Sequence, residues 1–252
     1  MKRILIGLSI MTAIVLSGCG ESGSNNSINL DATVQYKTSG DYDLKTYIAP
    51  AVNSINTYRE LSYMNQDGKK SFKGDPEEEI TTEKYDIQNN TIIVKNGSDV
   101  IDDVFVIKSD RIEEKEDINS SVDTVIARYA NIGDYILVDA NDTDNSEGIQ
   151  IQRKTACKLV KHYGTKTLNK KEYSDVLQIE CKTNGSGSTQ ANGILINYDI
   201  EATETVYVSK NFGDIYSENI SCQEVVTTIN GRETKNATCE KETRELLSSN
   251  KI

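Results

Sequence analysis

The sequence predicts an all-β fold: a curved antiparallel meander, as a half-barrel, open barrel or sandwich, stapled by disulfides in its C-terminal half. Three observations carry this. Almost every apolar run is short, β-branched and bounded by turn residues. Only two prolines, Pro50 and Pro76, interrupt 252 residues, so strands run on largely unbroken. Four cysteines lie beyond residue 150, and an even count in an exported chain points to two disulfides.

The elements follow in order. Lys2 and Arg3 give a basic start, and Ile4 to Leu16 is an apolar run. It is too short for a membrane span, which needs roughly 20 apolar residues. With the small residues that close it, residues 1–18 read as a secretory signal. Residues 19–28 follow as Cys19 and a flexible Gly/Ser/Asn spacer, and 29–252 as one β-rich ectodomain. Residues 29–119 are its less constrained part, because both staples fall later. Tyr47 to Tyr58 has some helical spacing, broken by Pro50. Gln66-Asp67-Gly68-Lys69 marks a hairpin centre with Tyr63 and Phe72 on its arms. The acids at 75–79 read as a solvated edge or loop.

Strand runs then succeed one another at Thr91–Val94, Val104–Ile107, Tyr135–Val138, Ile149–Ile151, Val176–Ile179, Ile194–Tyr198 and Val206–Val208. Residues 183–192 read as a mobile loop, and Glu240 to Leu247 as two exposed turns. The total comes to ten to fourteen strands.

Asn230-Gly231 is a strong type I′ hairpin signal. Counting outward from it sets Cys222 opposite Cys239 at a non-hydrogen-bonded position, where a Cα separation of about 4.5 Å is within disulfide reach. Cys157–Cys181 follows by elimination, across a turn near Asn169. A four-cysteine metal site lacks any CxxC spacing.

Leu16-Ser17-Gly18-Cys19 resembles the lipobox of bacterial lipoproteins. That resemblance implies cleavage before Cys19, acylation of that cysteine (palmitate included), and a chain tethered to a membrane leaflet. Gly20 after the cysteine, rather than Asp, implies passage to the outer membrane, facing the periplasm or the cell surface. A second pattern pairs Lys170-Lys171-Glu172-Tyr173-Ser174-Asp175-Val176-Leu177-Gln178-Ile179 with Glu204-Thr205-Val206-Tyr207-Val208-Ser209-Lys210-Asn211-Phe212-Gly213-Asp214-Ile215. It resembles the strands of half-barrel envelope lipoproteins of the LolA, LolB and LppX type. The likeness implies a curved sheet that in some relatives cups an apolar ligand. Asp214 departs from it, since an apolar residue is commoner there.

A chain beginning at Cys19 carries 26 basic and 39 acidic side chains, a formal charge of −13. That argues against nucleic acid or an anionic lipid surface as a partner, since both need basic patches. His162 is the one histidine; without a second or a Gly-x-Ser-x-Gly elbow it reads as a solvated or hydrogen-bonded strand residue, not a base. Zinc lacks donors. The 139–148 stretch offers oxygens at Asp139, Asn141, Thr143 and Glu147 in the manner of calcium, but fails the EF-hand pattern, and a solvated acidic turn is the favoured reading. A glycosidase would want an aromatic cleft, and the chain has no Trp. Asn119 and Asn141 are the two sequons with an acid two residues before the Asn, as an extended bacterial glycosylation signal requires.

The tyrosines on strand runs suit a half-buried sheet face. No catalytic constellation and no cofactor emerges. The expectation is a lipid-anchored, non-catalytic binding or structural module of the envelope, meeting envelope proteins. The alternative is a carrier or chaperone cupping a lipid or other apolar ligand. A filled core would favour the module, and a continuous apolar lining the carrier.

Overall fold

The computed structural model describes residues 28–146, 149–191 and 194–251, together with two short strands nearer the N-terminus. Those two, β1 (Arg3–Ile4) and β2 (Leu8–Ser9), pair only with each other. Next come β3 (Tyr42–Asp43), a single 3-10 turn at Leu44–Thr46, β4 (Ser54–Asn65), β5 (Glu77–Gln88) and β6 (Thr91–Asn96). They lead to β7 (Ile101–Ile107), β8 (Arg111–Lys115), β9 (Thr124–Ala127) and β10 (Tyr129–Ala130). The C-terminal half holds β11 (Tyr135–Ser146), β12 (Ile149–Leu168), β13 (Lys171–Ala191), β14 (Ile194–Ser209), β15 (Gly213–Ile229) and β16 (Arg232–Lys251).

Twelve strands form one antiparallel sheet in the order β11-β12-β13-β14-β15-β16-β4-β5-β6-β7-β8-β9. Each half is a meander, and the halves join where β16 zips to β4, with Lys251 opposite Ser54 and Cys239 opposite Asn65. The free edges, β9 and β11, come up against each other, so the sheet is a nearly closed barrel. Between them in the chain, β10 pairs instead with β3. There Arg128 clasps Asp43 through Nε and Nη2 at 3.0 and 2.9 Å.

The alternation of side chains along each strand decides what fills the barrel. Ile92, Phe105, Ile112, Leu159, Ile179 and Val206 point inward and are buried in one cluster. Leu44, Tyr47, Ile48 and Ala49, from the segment ahead of β4, pack into the same cluster. That segment is tied down by a bridge between Pro50 and Phe212 and by the Asn211 amide donating to the Thr46 carbonyl. Gly213, at φ +80, lets it come close, because a Cβ there would meet the Ala49 Cα at 3.3 Å. The concave side is therefore filled at this end. One outward row is polar, with Lys158, Glu180, Thr205, Glu218 and Thr243 side by side across β12 to β16, and the next carries the packed rings of Tyr207 and Tyr216.

The two staples lie in the C-terminal half. Asn230 and Gly231 take φ of 51° and 77°, Ile229 faces Arg232, and Cys222 faces Cys239 with Cα atoms 4.2 Å apart. Asn169 and Lys170 turn the chain with φ of 45° and 70°, and Cys157 faces Cys181 at 4.0 Å.

Several expectations need correcting. Residues 183–191 continue β13, because the glycines leave room for the neighbouring strand: a Cβ at Gly185 would come within 3.0 Å of the Arg153 Cγ. Glu240 to Leu247 is strand, laddered on both sides by β15 and β4. Phe72 leaves the hairpin arm, because Asn65 bonds the Lys69 and Ser71 carbonyls and closes a long loop before β5 begins. Glu77–Glu79 open β5 and are exposed, as expected of a solvated edge: β4 pairs them on one side, and the ladder to β6 begins only at Glu83. The 139–146 stretch is the end of β11, a strand rather than a turn.

Candidate functional site: an acidic cleft above a buried arginine

Strand register builds the site. On β16, residues 240, 242 and 244 share the inward face. Glu240 stands opposite Met64, Glu242 opposite Asn219 and Ser62, and Arg244 opposite Ser217 and Glu60. The row that is apolar at Leu159, Ile179 and Val206 runs on through Ser217, Arg244 and Glu60, where polar side chains take over.

Arg244 is 8 % exposed, and a guanidinium taken out of water must be paired. Its Nη2 donates to Glu83 Oε1 at 2.6 Å, Nε lies 3.2 Å from Glu60 Oε1, and Nη1 lies 3.8 Å from Asp214 Oδ2. Its plane lies over the Tyr58 ring at 3.6 Å, where the π face adds cation–π attraction. The acids are held in turn. Tyr85 donates to Glu83 Oε2 at 2.6 Å, Thr81 to Glu60 Oε1 at 2.9 Å, and the Asn56 amide to the Tyr58 hydroxyl at 3.0 Å. Burial opposes the charge of Arg244, but Glu83, Tyr58 and Asp214 outweigh it and raise its pKa further.

Above this network opens a cleft of about 720 Å³. Glu60, Asp75, Glu77, Glu78, Glu79, Glu240 and Glu242 line it, with Leu61 and Met64 as apolar patches and Arg244 as the one cation. Burial, then the charge of Glu240, pushes the Glu242 carboxyl up to about 7. Burial lifts Asp214 to about 7 in spite of Arg244. Glu204, on β14, is raised well above the carboxylate range by burial and by the charges of Asp214 and Glu242. Such a site can hold cations, and at neutral pH it keeps protons of its own.

His162 lies elsewhere. Its Nε2 is 2.9 Å from Asp175 Oδ1, the oxygen that also accepts from the Tyr47 hydroxyl at 2.7 Å. Lys210 is 3.5 Å from the other oxygen, and Tyr42 lies over the imidazole, with ring centroids 5.2 Å apart. Burial acts against the Asp175 carboxylate, but Tyr47, His162 and Lys210 hold it below its usual range. This group ties the segment ahead of β4 to β12 and β13. Asn119 sits exposed in a tight turn, its amide bonded to Asp117 at 2.6 Å. Cys19 and the side chains of Asn141, Thr143 and Glu147 lie outside the described residues, and Asp139 stands on β11 opposite Thr155.

No protein-family model matches the chain, and no curated protein matches it. Two solved structures of the outer membrane protein OmpT of Vibrio cholerae overlap it slightly. The form lacking loop L8 shares 8 % identity over 77 % of this chain and 99 % of its own, with a TM-score of 0.20. The other shares 7 % over 77 % and 96 %, with a TM-score of 0.19. Overlaps this slight carry no argument about what the chain does.

The acidic site went unseen in the sequence, though its signal is there. In Glu204-Thr205-Val206-Tyr207-Val208 the phase that buries Val206 and Val208 also buries Glu204. Asp214, which departs from the half-barrel pattern, departs because it faces Arg244.

Proposed function

We propose that the chain is a lipid-anchored envelope module that binds its ligand through the acidic cleft and does no covalent chemistry. The observation that carries this is the filling of the barrel. Leu44, Tyr47 and Ile48 occupy the apolar end of the concave side, and the space left open is lined by carboxylates. A carrier of lipid needs the reverse arrangement, an open apolar hollow. The lipobox resemblance at Leu16–Cys19 supports acylation of Cys19, and Gly20 supports an outer-membrane location. The polar outward row of Lys158, Glu180, Thr205, Glu218 and Thr243 suits a body that stands in water on its anchor, because a lipid-facing barrel wears an apolar band.

Native mass spectrometry of the protein released from membranes without reduction tests the reading. The expected mass is that of a chain beginning at an acylated Cys19, with both disulfides intact and no second lipid. A further lipid retained through gentle release would overturn the module in favour of a carrier.

A further inference from the structure

The two sequons with an acid two residues before the asparagine are treated unlike by the fold. Asn141 lies on β11, where Asp142 and Thr143 pair with Arg153 and Gln152. A transferase must draw its acceptor segment away from the surrounding chain, and a strand ladder resists that. The plain sequons at Asn184, Asn219 and Asn236 are likewise paired within β13, β15 and β16. Asn96 spends its side-chain amide on Asp102 Oδ1 at 3.3 Å.

Asn119 stands apart. It lies on the loop between β8 and β9, where residues 116–119, 121 and 122 are all exposed. Strand pairing ends at Glu114 and Thr124. Two bonds close the base of the loop. The Asp123 amide donates to the Glu114 carbonyl at 2.9 Å, and the Glu116 amide to Asp123 Oδ2 at 3.1 Å.

Everything above that base is local. Asp117 Oδ1 accepts the Asn119 and Ser120 backbone amides at 2.6 and 2.9 Å, and Ser120 Oγ accepts the Asp117 amide at 2.8 Å. An Asx turn of this kind joins only Asp117 through Ser120, so opening it leaves every strand pair of the barrel in place. These bonds engage the backbone of Asn119 and one oxygen of Asp117. Among the described residues, nothing ties down the Asn119 side-chain amide or the Ser121 hydroxyl. Acid, amide and hydroxyl are thus offered together on one exposed turn, where a bulky glycan has room.

We propose that Asn119 is an N-glycosylation site, modified in trans by an oligosaccharyltransferase that uses a polyprenyl-pyrophosphate-linked oligosaccharide. The Asn119 Nδ2 forms a bond to the anomeric carbon of the first sugar. The bond from that carbon to the carrier's pyrophosphate oxygen breaks, and the proton lost by the amide balances the charge of the departing pyrophosphate. The proposal rests on the export that residues 1–18 imply, and not on what the acidic cleft binds.

Trypsin cuts after Lys115 and Arg128, so the acceptor falls in the single peptide Glu116–Arg128. Tandem mass spectrometry of that peptide, taken from the whole protein purified from its own membranes, tests the site. A glycan fixed on Asn119 is expected. Asn119→Gln and Ser121→Ala abolish it, and Ser121→Thr keeps it. Asp117→Asn is the sharpest variant, because its side-chain oxygen still accepts both amides while the acid is gone, and it too loses the glycan. Circular dichroism and intact disulfides show that each variant folds.

A peptide found only in its bare form would overturn the proposal. So would a glycan that survives Asp117→Asn, or one that survives Asn119→Gln and is therefore carried by a serine. The lipid at Cys19 is read on a different peptide, so the anchored module and the glycan stand or fall separately.

Discussion

Glu242 and Asp214 are acids that the fold has made weak, and the sign of their effect on stability follows. Each binds its proton in the folded chain over a range in which the unfolded chain has released it. The folded state then holds more protons, so stability falls as pH rises through that range. For Glu242 the window runs from 4.5 to about 7, and for Asp214 from 3.8 to about 7. At about 1.4 kcal/mol per pKa unit, Glu242 alone removes on the order of 3 kcal/mol across its window. Glu113, Asp134 and Asp175 act oppositely: salt and hydrogen bonds lower their pKa against the pull of burial. Their stabilisation is lost as pH falls below the usual carboxylate range. The contribution of Glu242 is therefore read as a difference. Urea denaturation of wild type and Glu242→Gln should show the variant gaining on wild type as pH rises from about 4.5 to 7. A constant difference across that window would rule the raised Glu242 out.

At the scale of elements, two hairpins built alike carry different turn residues. Asn230-Gly231 places glycine where φ is +77°, whereas Asn169-Lys170 places lysine at φ +70°. A side chain in the left-handed region costs roughly 1–2 kcal/mol. Lys170→Gly should thus raise stability by about 1 kcal/mol, less the entropy that glycine adds to the unfolded chain, read as a higher urea midpoint at unchanged slope. An unchanged or lower midpoint would mean that the Lys170 side chain stabilises the turn by more than its strain.

The hairpins were the most legible part of the sequence. Alternation and Asn-Gly chemistry fixed the Cys222–Cys239 register to the residue, because turn type and pairing are local. The strands that read as loops failed for a non-local reason. Residues 183–190 and 240–245 are polar on both faces, and what holds them extended is a ladder on either side, invisible until the neighbours are known. The acids at 75–79 lie solvated on an edge as read, but nothing in them says that β4 and β16 bring them beside an arginine more than 160 residues away in sequence.

For the molecule as a whole, the segment from residue 28 to 53 decides what kind of container the barrel is. The half-barrel resemblance implies an apolar hollow, and the inward faces of β6, β7, β13 and β14 do supply apolar walls. Leu44, Tyr47, Ile48 and Ala49 occupy the space between them. The chain ahead of the first long strand thus doubles as the plug. Helical spacing broken by Pro50 does not announce a plug, because what buries Leu44, Tyr47 and Ile48 is the wall of strands around them.

Tethers hold it on several sides. Arg128 grips Asp43, Lys37 reaches Asp134 at 2.7 Å, and the Tyr47 hydroxyl donates to Asp175. A chain lacking residues 28–53 should retain the sheet, because β4 still pairs β16 and β5, and should expose the apolar walls to solvent. The hydrophobic dye ANS, dark with the whole chain, should brighten with the truncated one while the far-ultraviolet circular dichroism stays that of a β protein. Leu44→Asp tests the same point without truncation: a charge forced into the cluster should loosen the plug and raise dye binding in the same direction. If dye stays dark in both while the sheet persists, the walls close on each other without the plug, and the segment is a passenger rather than the barrel's floor.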